Sequence, residues 1–300
     1  MSIEKPIKEI IIPDVHFESL YELNSLDEHT ANLLKLKNGD FCFVTDGQNR
    51  KAVVFSINGK VKIIDSFKNK SLNGFIPKDL KQVVYCNLLQ EETVTIIAAL
   101  GAAGTGKTTL ALAKAVNNYF SQKKKIYLCK PTHLVTSHEH QVFGPVPGDM
   151  QEKYAPYIGS FQIVLNKILG SAGKDYLQTM IDKKHIEFMP VEFTRGCTFE
   201  NCTFILDEVQ NLTWHELKTV LSRIGNDSKI ILCGDPNQID AGFNYNQSGL
   251  YTLLQSETFQ NSKFTSKIEL TKQYRGRIPD LIYNIDKELN KDKNEIPFKL

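Results

Sequence analysis

No run of about eighteen apolar residues occurs in this 300-residue chain, so nothing in it reads as a membrane-spanning helix. The opening MSIEKPIKEI carries too many charges for a secretory signal, which sets the expectation of a cytoplasmic protein. A zinc site is equally poorly provided for. The six cysteines (Cys42, Cys86, Cys129, Cys197, Cys202, Cys233) contain no CxxC pair and no histidine at zinc spacing, which argues against a structural metal. Cys42, Cys86, Cys129 and Cys233 sit in apolar surroundings and read as small core residues of a reduced protein. Cys197 and Cys202 are near enough to approach each other, but a reducing compartment disfavours a disulfide. An excess of either charge is missing too. Thirty-six Lys and Arg stand against 34 Asp and Glu, a formal +2, so any polyanion site must be a local patch. Internal repeats and low-complexity tracts are absent, which excludes repeat architectures.

What the chain does contain is enough for a sizeable core, with 41% hydrophobic and 23% charged residues. Residues 39–65 alternate apolar and polar side chains in FCFVT, KAVVFSI and KVKIID, separated by DGQNR and NG, which predicts a small antiparallel meander. LYEL and TANLLKLKNG before it predict a short helix or two, and SFKNKSLNGF (66–75) a linker. From residue 76 buried-strand runs interleave with helical ones: PKDLKQVVYCNLL, TVTIIAAL, TTLALAKAVNNYF, KIYLCK, CTFILDE and SKIILCGD, with KIELTKQYR (267–275) as an added edge strand. That alternation predicts an α/β core whose mainly parallel sheet is covered by helices on both faces. The expected organisation is a small β domain at 1–75, the core at 76–290 and a charged tail at 291–300.

Gly101-Ala102-Ala103-Gly104-Thr105-Gly106-Lys107-Thr108 matches GxxxxGK[ST] at every fixed position, after a strand and before a helix. Glycines let the backbone wrap phosphates so that several N–H groups converge on one anion at a helix start. Lys107 is then expected on the β- and γ-phosphates of ATP and the Thr108 hydroxyl on Mg²⁺, with Thr109 completing the nucleotide-binding run. CTFILDEVQN places Asp207 and Glu208 at a strand's carboxyl end, where open α/β sheets bind ligands. Asp207 is expected in the Mg²⁺ shell and Glu208 as the group that orients or deprotonates the attacking water. Gln238, three residues after Gly234-Asp235, offers a neutral amide to the γ-phosphate or lytic water, or belongs to a bare turn. Gln82, ahead of the first core strand, either reads an adenine edge or is an exposed helix residue.

These residues resemble the PhoH-like ATPases, whose core is related to the first motor lobe of superfamily 1 helicases. Beyond the phosphate loop, the resemblance rests on GPVPGDMQEKYAPYIGSF (144–161), on the segment 190–240 with its DEVQN and GDPNQID steps, and on SGL (248–250). The meander resembles the small domain before the ATPase core in longer relatives, which begin with a PIN nuclease domain that is not seen here. The resemblance implies an ATPase acting on RNA or single-stranded nucleic acid, often described as a helicase. It puts Arg195 in an RG step and Arg223 in an RIG step as phosphate contacts or arginine fingers. Lys130 stands where the family has arginine, and Val209 replaces the alanine of the family's DEAQ step. LTKQYRGR (270–277) resembles the tyrosine-arginine segment of helicase motors, which makes Arg275 a γ-phosphate candidate and Arg277 a further arginine.

Other signals are weaker. His138 and His140 lack partners for a metal site. Phe143, Tyr154 and Tyr157 around Lys153 read equally as base-stacking residues or as packing, and Trp214 as a helix-face packing residue. The chain ends about 60 residues after Gln238, too short for a second motor lobe. A neighbouring subunit is therefore expected to complete the site, in a head-to-tail ring, a hexamer favoured. The rival reading is a nucleotide-gated binding protein whose slow hydrolysis times release of a partner. A small-molecule phosphotransferase is disfavoured by the water-activating acids.

Overall fold

The computed structural model describes residues 8–278 other than 27–28, 30–31, 33, 37–38, 49, 58–59, 65–71, 132–149, 171–172 and 240–244, together with residues 281, 282 and 285. In the N-terminal part, β3 (Phe41–Thr45), β4 (Lys51–Ile57) and β5 (Lys60–Ile63) form the meander the alternation predicts. Two short strands widen it. β1 (Glu9–Ile11) joins β3 in parallel and β2 (Ser25–Leu26) joins β5 antiparallel, giving a five-stranded sheet in the order β1-β3-β4-β5-β2. Strands of two or three residues carry too little alternation to be read locally. Helix α1 (Asp14–Leu23) buries Phe17 and Leu20 against Cys42, Val44 and Val54.

The second sheet has six strands, all parallel: β6 (Ile96–Leu100), β7 (Lys125–Lys130), β8 (Ile186–Pro190), β9 (Cys202–Leu206), β10 (Lys229–Gly234) and β11 (Thr265–Glu269). Their order is β11-β6-β10-β9-β7-β8. Every residue of β9 and β10 is buried, as the continuous apolar runs require of strands covered on both faces. β11 is the edge strand expected from KIELTKQYR, and β8 is the opposite edge, which the sequence reading did not identify.

Among the helices, α2 (Leu80–Gln90) precedes β6, and α3 (Lys107–Gln122) follows the phosphate loop. Then come α4 (Met150–Leu169), α5 (Gly173–Asp182), α6 (Trp214–Leu221), α7 (Gly249–Gln255) and α8 (Glu257–Asn261). The two sheets do not have wholly separate interiors: Phe55 and Ile57 of β4 belong to the same apolar cluster as Tyr85 of α2, Ile97 of β6 and Ala111 of α3. A second cluster on the other face joins Phe204, Leu217, Leu232 and Leu250.

Candidate nucleotide-binding site

β6 delivers the chain to the carboxyl edge of the sheet, where residues 101–106 fold over and α3 begins at Lys107. Two glycines are required by shape. Gly101 (φ 134°) passes so close to the Leu270 carbonyl that a Cβ would collide with it. Gly106 (φ 97°) caps α3 in the left-handed region, and a Cβ there would lie 2.9 Å from Gln82 Nε2. Lys107 Nζ donates to the carbonyls of Gly101 and Ala102, the latter at 3.0 Å. Thr105 is fully buried and closes the loop by donating from Oγ1 to the Ala102 carbonyl at 2.9 Å.

Across the loop stand the acids that end β9. Thr108 Oγ1 donates to Asp207 Oδ1 at 3.0 Å, and the Asp207 N–H donates to the Cys129 carbonyl of β7 at 2.9 Å. Glu208 adopts a left-handed backbone (φ 54°), a conformation that costs a non-glycine residue about 1 kcal/mol or more. It is held there from two sides: Oε2 accepts from Gln210 Nε2 at 2.8 Å, and Lys130 Nζ stands 3.9 Å from Oε1. Burial pushes the Asp207 carboxyl up to about 6, with the neighbouring Glu208 charge adding to it, against Lys130, the Thr108 hydrogen bond and Lys107. Asp235, at the end of β10, is raised by its burial, and its Oδ2 is buried without a hydrogen-bond partner among the described residues.

The pocket that Lys107, Thr108, Asp207 and Glu208 share has a volume of about 540 Å³. Ala103, Gly104, Thr109 and Arg275 line it on the loop side, and Lys130, Ser160 and Lys167 on the other. Magnesium fits the donor set. A hydroxyl and a carboxylate are hard oxygen ligands, and adjacent ligands of an octahedral Mg²⁺ with bonds of about 2.1 Å at right angles lie about 3.0 Å apart. The 3.0 Å between Thr108 Oγ1 and Asp207 Oδ1 matches that separation.

The family described as PhoH-like protein matches residues 75–285. The chain belongs to the PhoH-like family. It is 27% identical over 282 residues to Protein PhoH2 of Bacillus subtilis (strain 168), covering 91% of this chain and 62% of that protein. To the PhoH-like protein of the same strain it is 38% identical over 146 residues, 48% of this chain and 44% of that one. To Protein PhoH of Escherichia coli (strain K12) it is 37% identical over 151 residues, 50% of this chain and 41% of that one. It thus spans less than two thirds of the length of these relatives. Among solved structures, Pif1 helicase from Candida albicans aligns at TM-score 0.36 and 16% identity, covering 72% of this chain and 44% of that one. Pif1 helicase from Bacteroides in complex with ADP-AlF3 and ssDNA aligns at TM-score 0.36 and 16% identity, covering 71% and 47%.

In this PhoH-like chain the structure gathers Lys107, Thr108, Thr109, Lys130, Asp207, Glu208, Gln82 and Arg275 around one pocket. Gln82 is not the exposed helix residue of the alternative reading. It is 5% exposed, its Nε2 donates to the Thr105 carbonyl at 2.8 Å and its Oε1 accepts from the Lys78 N–H at 2.8 Å. Gln238 lies in the turn after β10 with its side chain exposed, and its carbonyl accepts from Gln210 Nε2 at 3.1 Å. Arg275 lies over the loop of its own chain, where a Cβ on Gly104 would meet its Cγ at 2.8 Å. Arg195, Arg223 and Arg277 do not line the pocket, and Arg223 follows α6 toward the sheet's amino end.

Trp214 stands at the first turn of α6, just after the Thr213–Glu216 capping box, with 39% of its surface exposed, while Leu217 and Val220 of the same helix are buried in the core. All six cysteines are free, and Cys202 is buried with the core four. His138, His140 and Phe143 lie outside the described residues. Lys153, Tyr154 and Tyr157 lie on α4 with side chains outside the described ones.

Three residues were missed by the sequence reading. Gln210, 1% exposed, ties the ends of β9 and β10 together by bonding Glu208, the Gln238 carbonyl and, through Oε1, the Asp235 N–H at 3.1 Å. Its signal was present in DEVQN. Tyr274 donates from its hydroxyl to Asp79 Oδ2 at 2.6 Å and from its N–H to the Gly104 carbonyl at 3.0 Å. Its signal lies in the Gln273-Tyr274-Arg275 step. Lys167 reaches the pocket from α4, and nothing in the surrounding sequence signals it.

Proposed function

We propose that this chain binds ATP·Mg²⁺ in the pocket between the phosphate loop, the end of β9 and α4, and hydrolyses it. The observation that carries the reading is the 3.0 Å hydrogen bond from Thr108 to Asp207 beside Lys107. In this reading Lys107 turns from the loop carbonyls to the β- and γ-phosphates, and the loop N–H groups hold the remaining oxygens. When bound, Mg²⁺ neutralises charge across the phosphates, held by Thr108 and Asp207. Glu208, fixed by Gln210 and Lys130, orients the attacking water and takes its proton, with Gln238 close by on the adjoining turn. Arg275 meets the charge that grows on the γ-phosphoryl group. Phe75 and Ile76 flank the pocket where a purine would lie, and Gln82 keeps one amide proton and one lone pair for its edge.

The finer reading is that turnover drives binding to, or movement along, RNA or single-stranded nucleic acid. Support comes from the rim of the sheet, where the 3-10 turn Val191–Thr194 packs against α6. Phe193 is 44% exposed there, Trp214 is half-exposed and Arg195 follows two residues later, a set suited to stacked bases and phosphates. Lys130 and Lys153 are further phosphate candidates in the same reading. Self-association in a head-to-tail ring, a hexamer favoured, completes it: Arg195, Arg223 and Arg277 stand outside this chain's own pocket and would serve a neighbour's. A cytoplasmic location accords with this reading; among the described residues, no helix is long and apolar enough to cross a membrane.

The deciding measurement is Mg²⁺-dependent phosphate release against a panel of RNA, single-stranded DNA and duplex. Release accelerated by single strands, with an effect that fades as salt rises, is expected. No release under any condition would overturn the ATPase reading, and release indifferent to every strand would overturn the nucleic-acid half.

A further inference from the structure

A second cavity, of about 730 Å³, opens at the amino ends of β6 and β10, at the end of the sheet away from the phosphate loop. Its walls are the last turn of α2, the far half of α3 and the turn leading into β10. Lys114, Asn118 and Gln122 lie four residues apart on α3 and so share one face. Lys124 stands just beyond that helix, and Lys229 opens β10. Lys229 is buried, and its Nζ donates to the carbonyls of Leu89 at 3.0 Å and Glu91 at 2.7 Å, at the end of α2.

The acids nearby do not offset these three cations fully. Glu91 is paired with Lys62 of β5 at 2.8 Å. Glu92 accepts from Gln122 Nε2 at 3.2 Å, and Asp227 lies in the turn before β10. Lys114 and Lys124 form no hydrogen bond or ion pair among the described residues. Burial pulls Lys229 down to about 7, with Lys114 and Lys124 acting the same way against Glu91 and Glu92. Burial also lowers Lys114, opposed by Glu92 and reinforced by Lys124. Ammonium groups crowded at mutual cost are relieved by an anion that bonds to them together.

We propose that this cavity is a regulatory site for a small multiply charged anion, a phosphorylated or polycarboxylate metabolite, whose occupancy reaches the phosphate loop through α2 and α3. The coupling has a physical route. α3 begins at Lys107 and carries Lys114 into the cavity. α2 begins at Asp79 and Gln82, which hold Tyr274 and the Thr105 carbonyl, and it ends in the grip of Lys229. An anion that draws Lys229 away from the carbonyls of Leu89 and Glu91 loosens one end of a helix whose other end braces the nucleotide pocket. The coupling rests on the reading of that pocket as the ATP site.

The test uses the whole chain at pH 7 with Mg²⁺ in excess and a non-hydrolysable ATP analogue at saturation, so that the phosphate loop is closed to competitors. Fructose 1,6-bisphosphate is titrated calorimetrically in one arm and citrate in the other, which separates the two sources of anion. Saturable 1:1 binding is expected in at least one arm, weakened at least about tenfold in a Lys114→Met, Lys124→Met double variant. The analogue's own Kd should shift at least about fivefold at saturating anion, and not in that variant. Absence of saturable binding in both arms, equal binding by the variant, or binding that leaves the analogue's Kd unchanged would overturn the proposal. An analogue that does not bind at all would refute the ATP-site reading and the coupling with it. The same titrations on the chain alone would still decide the cavity.

Discussion

Among the described residues Lys107 Nζ donates only to two carbonyls of its own loop, so its removal should leave the fold standing. For Lys107→Ala we expect ATP turnover to vanish while far-UV circular dichroism and the apo melting temperature stay at wild-type values. Near-normal hydrolysis would remove Lys107 from the site. Glu208 is a different kind of residue. Its left-handed backbone is retained because Gln210 and Lys130 hold its carboxylate, so Glu208→Gln keeps the shape and removes the charge. Turnover should fall roughly 10²-fold with ATP·Mg²⁺ binding retained, as read by single-turnover kinetics beside equilibrium binding. Loss of binding instead would move Glu208 into the metal shell.

At the scale of elements, α2 is pinned at both ends: Asp79 and Gln82 to the tyrosine-arginine segment and phosphate loop, and the Leu89 and Glu91 carbonyls to Lys229. The buried Lys229 ammonium is costly as well as useful. Its folded pKa of about 7 lies below the ordinary 10.5, so between these values the unfolded chain binds the extra proton. Stability should therefore rise with pH across that window, as the cost of burying the charge is relieved. Melting curves from pH 6 to 10 should show that slope in the wild type and a flatter one in Lys229→Met. An identical slope in both would mean that the lysine is solvated. Sequence reading handled these elements unevenly. The long apolar runs of β6, β9 and β10 announced themselves, whereas β1, β2 and β8 depend on partners distant in sequence.

For the molecule as a whole, the distribution of arginines is the main consequence of the fold. Arg275 lines the pocket of its own chain, while Arg195, Arg223 and Arg277 stand away from it. In the ring reading, one of the latter acts on a neighbour's nucleotide, where such a finger is worth about 10³–10⁵ in rate. Mixing an inactive variant of that arginine with inactive Lys107→Ala should then restore part of the activity. Mixtures proven to exchange subunits yet still inert, or full activity in a strictly monomeric preparation, would end the in-trans reading.

The phosphate loop, the Asp207-Glu208 strand end and the parallel α/β core were legible from sequence because each is a local pattern: fixed glycine spacing, an apolar run, an acid at its end. Turn chemistry and the apolar pattern of a strand are encoded within about ten residues, and no partner is needed to read them. The rest required the folded chain. Gln210 became a brace only when β9 and β10 lay side by side, and Tyr274 only when the edge strand brought its segment over Gly104. The lysine cavity unites residues more than one hundred positions apart, Lys114 with Lys229. Burial, and therefore the charge state of such groups, is set by neighbours that only the tertiary structure supplies.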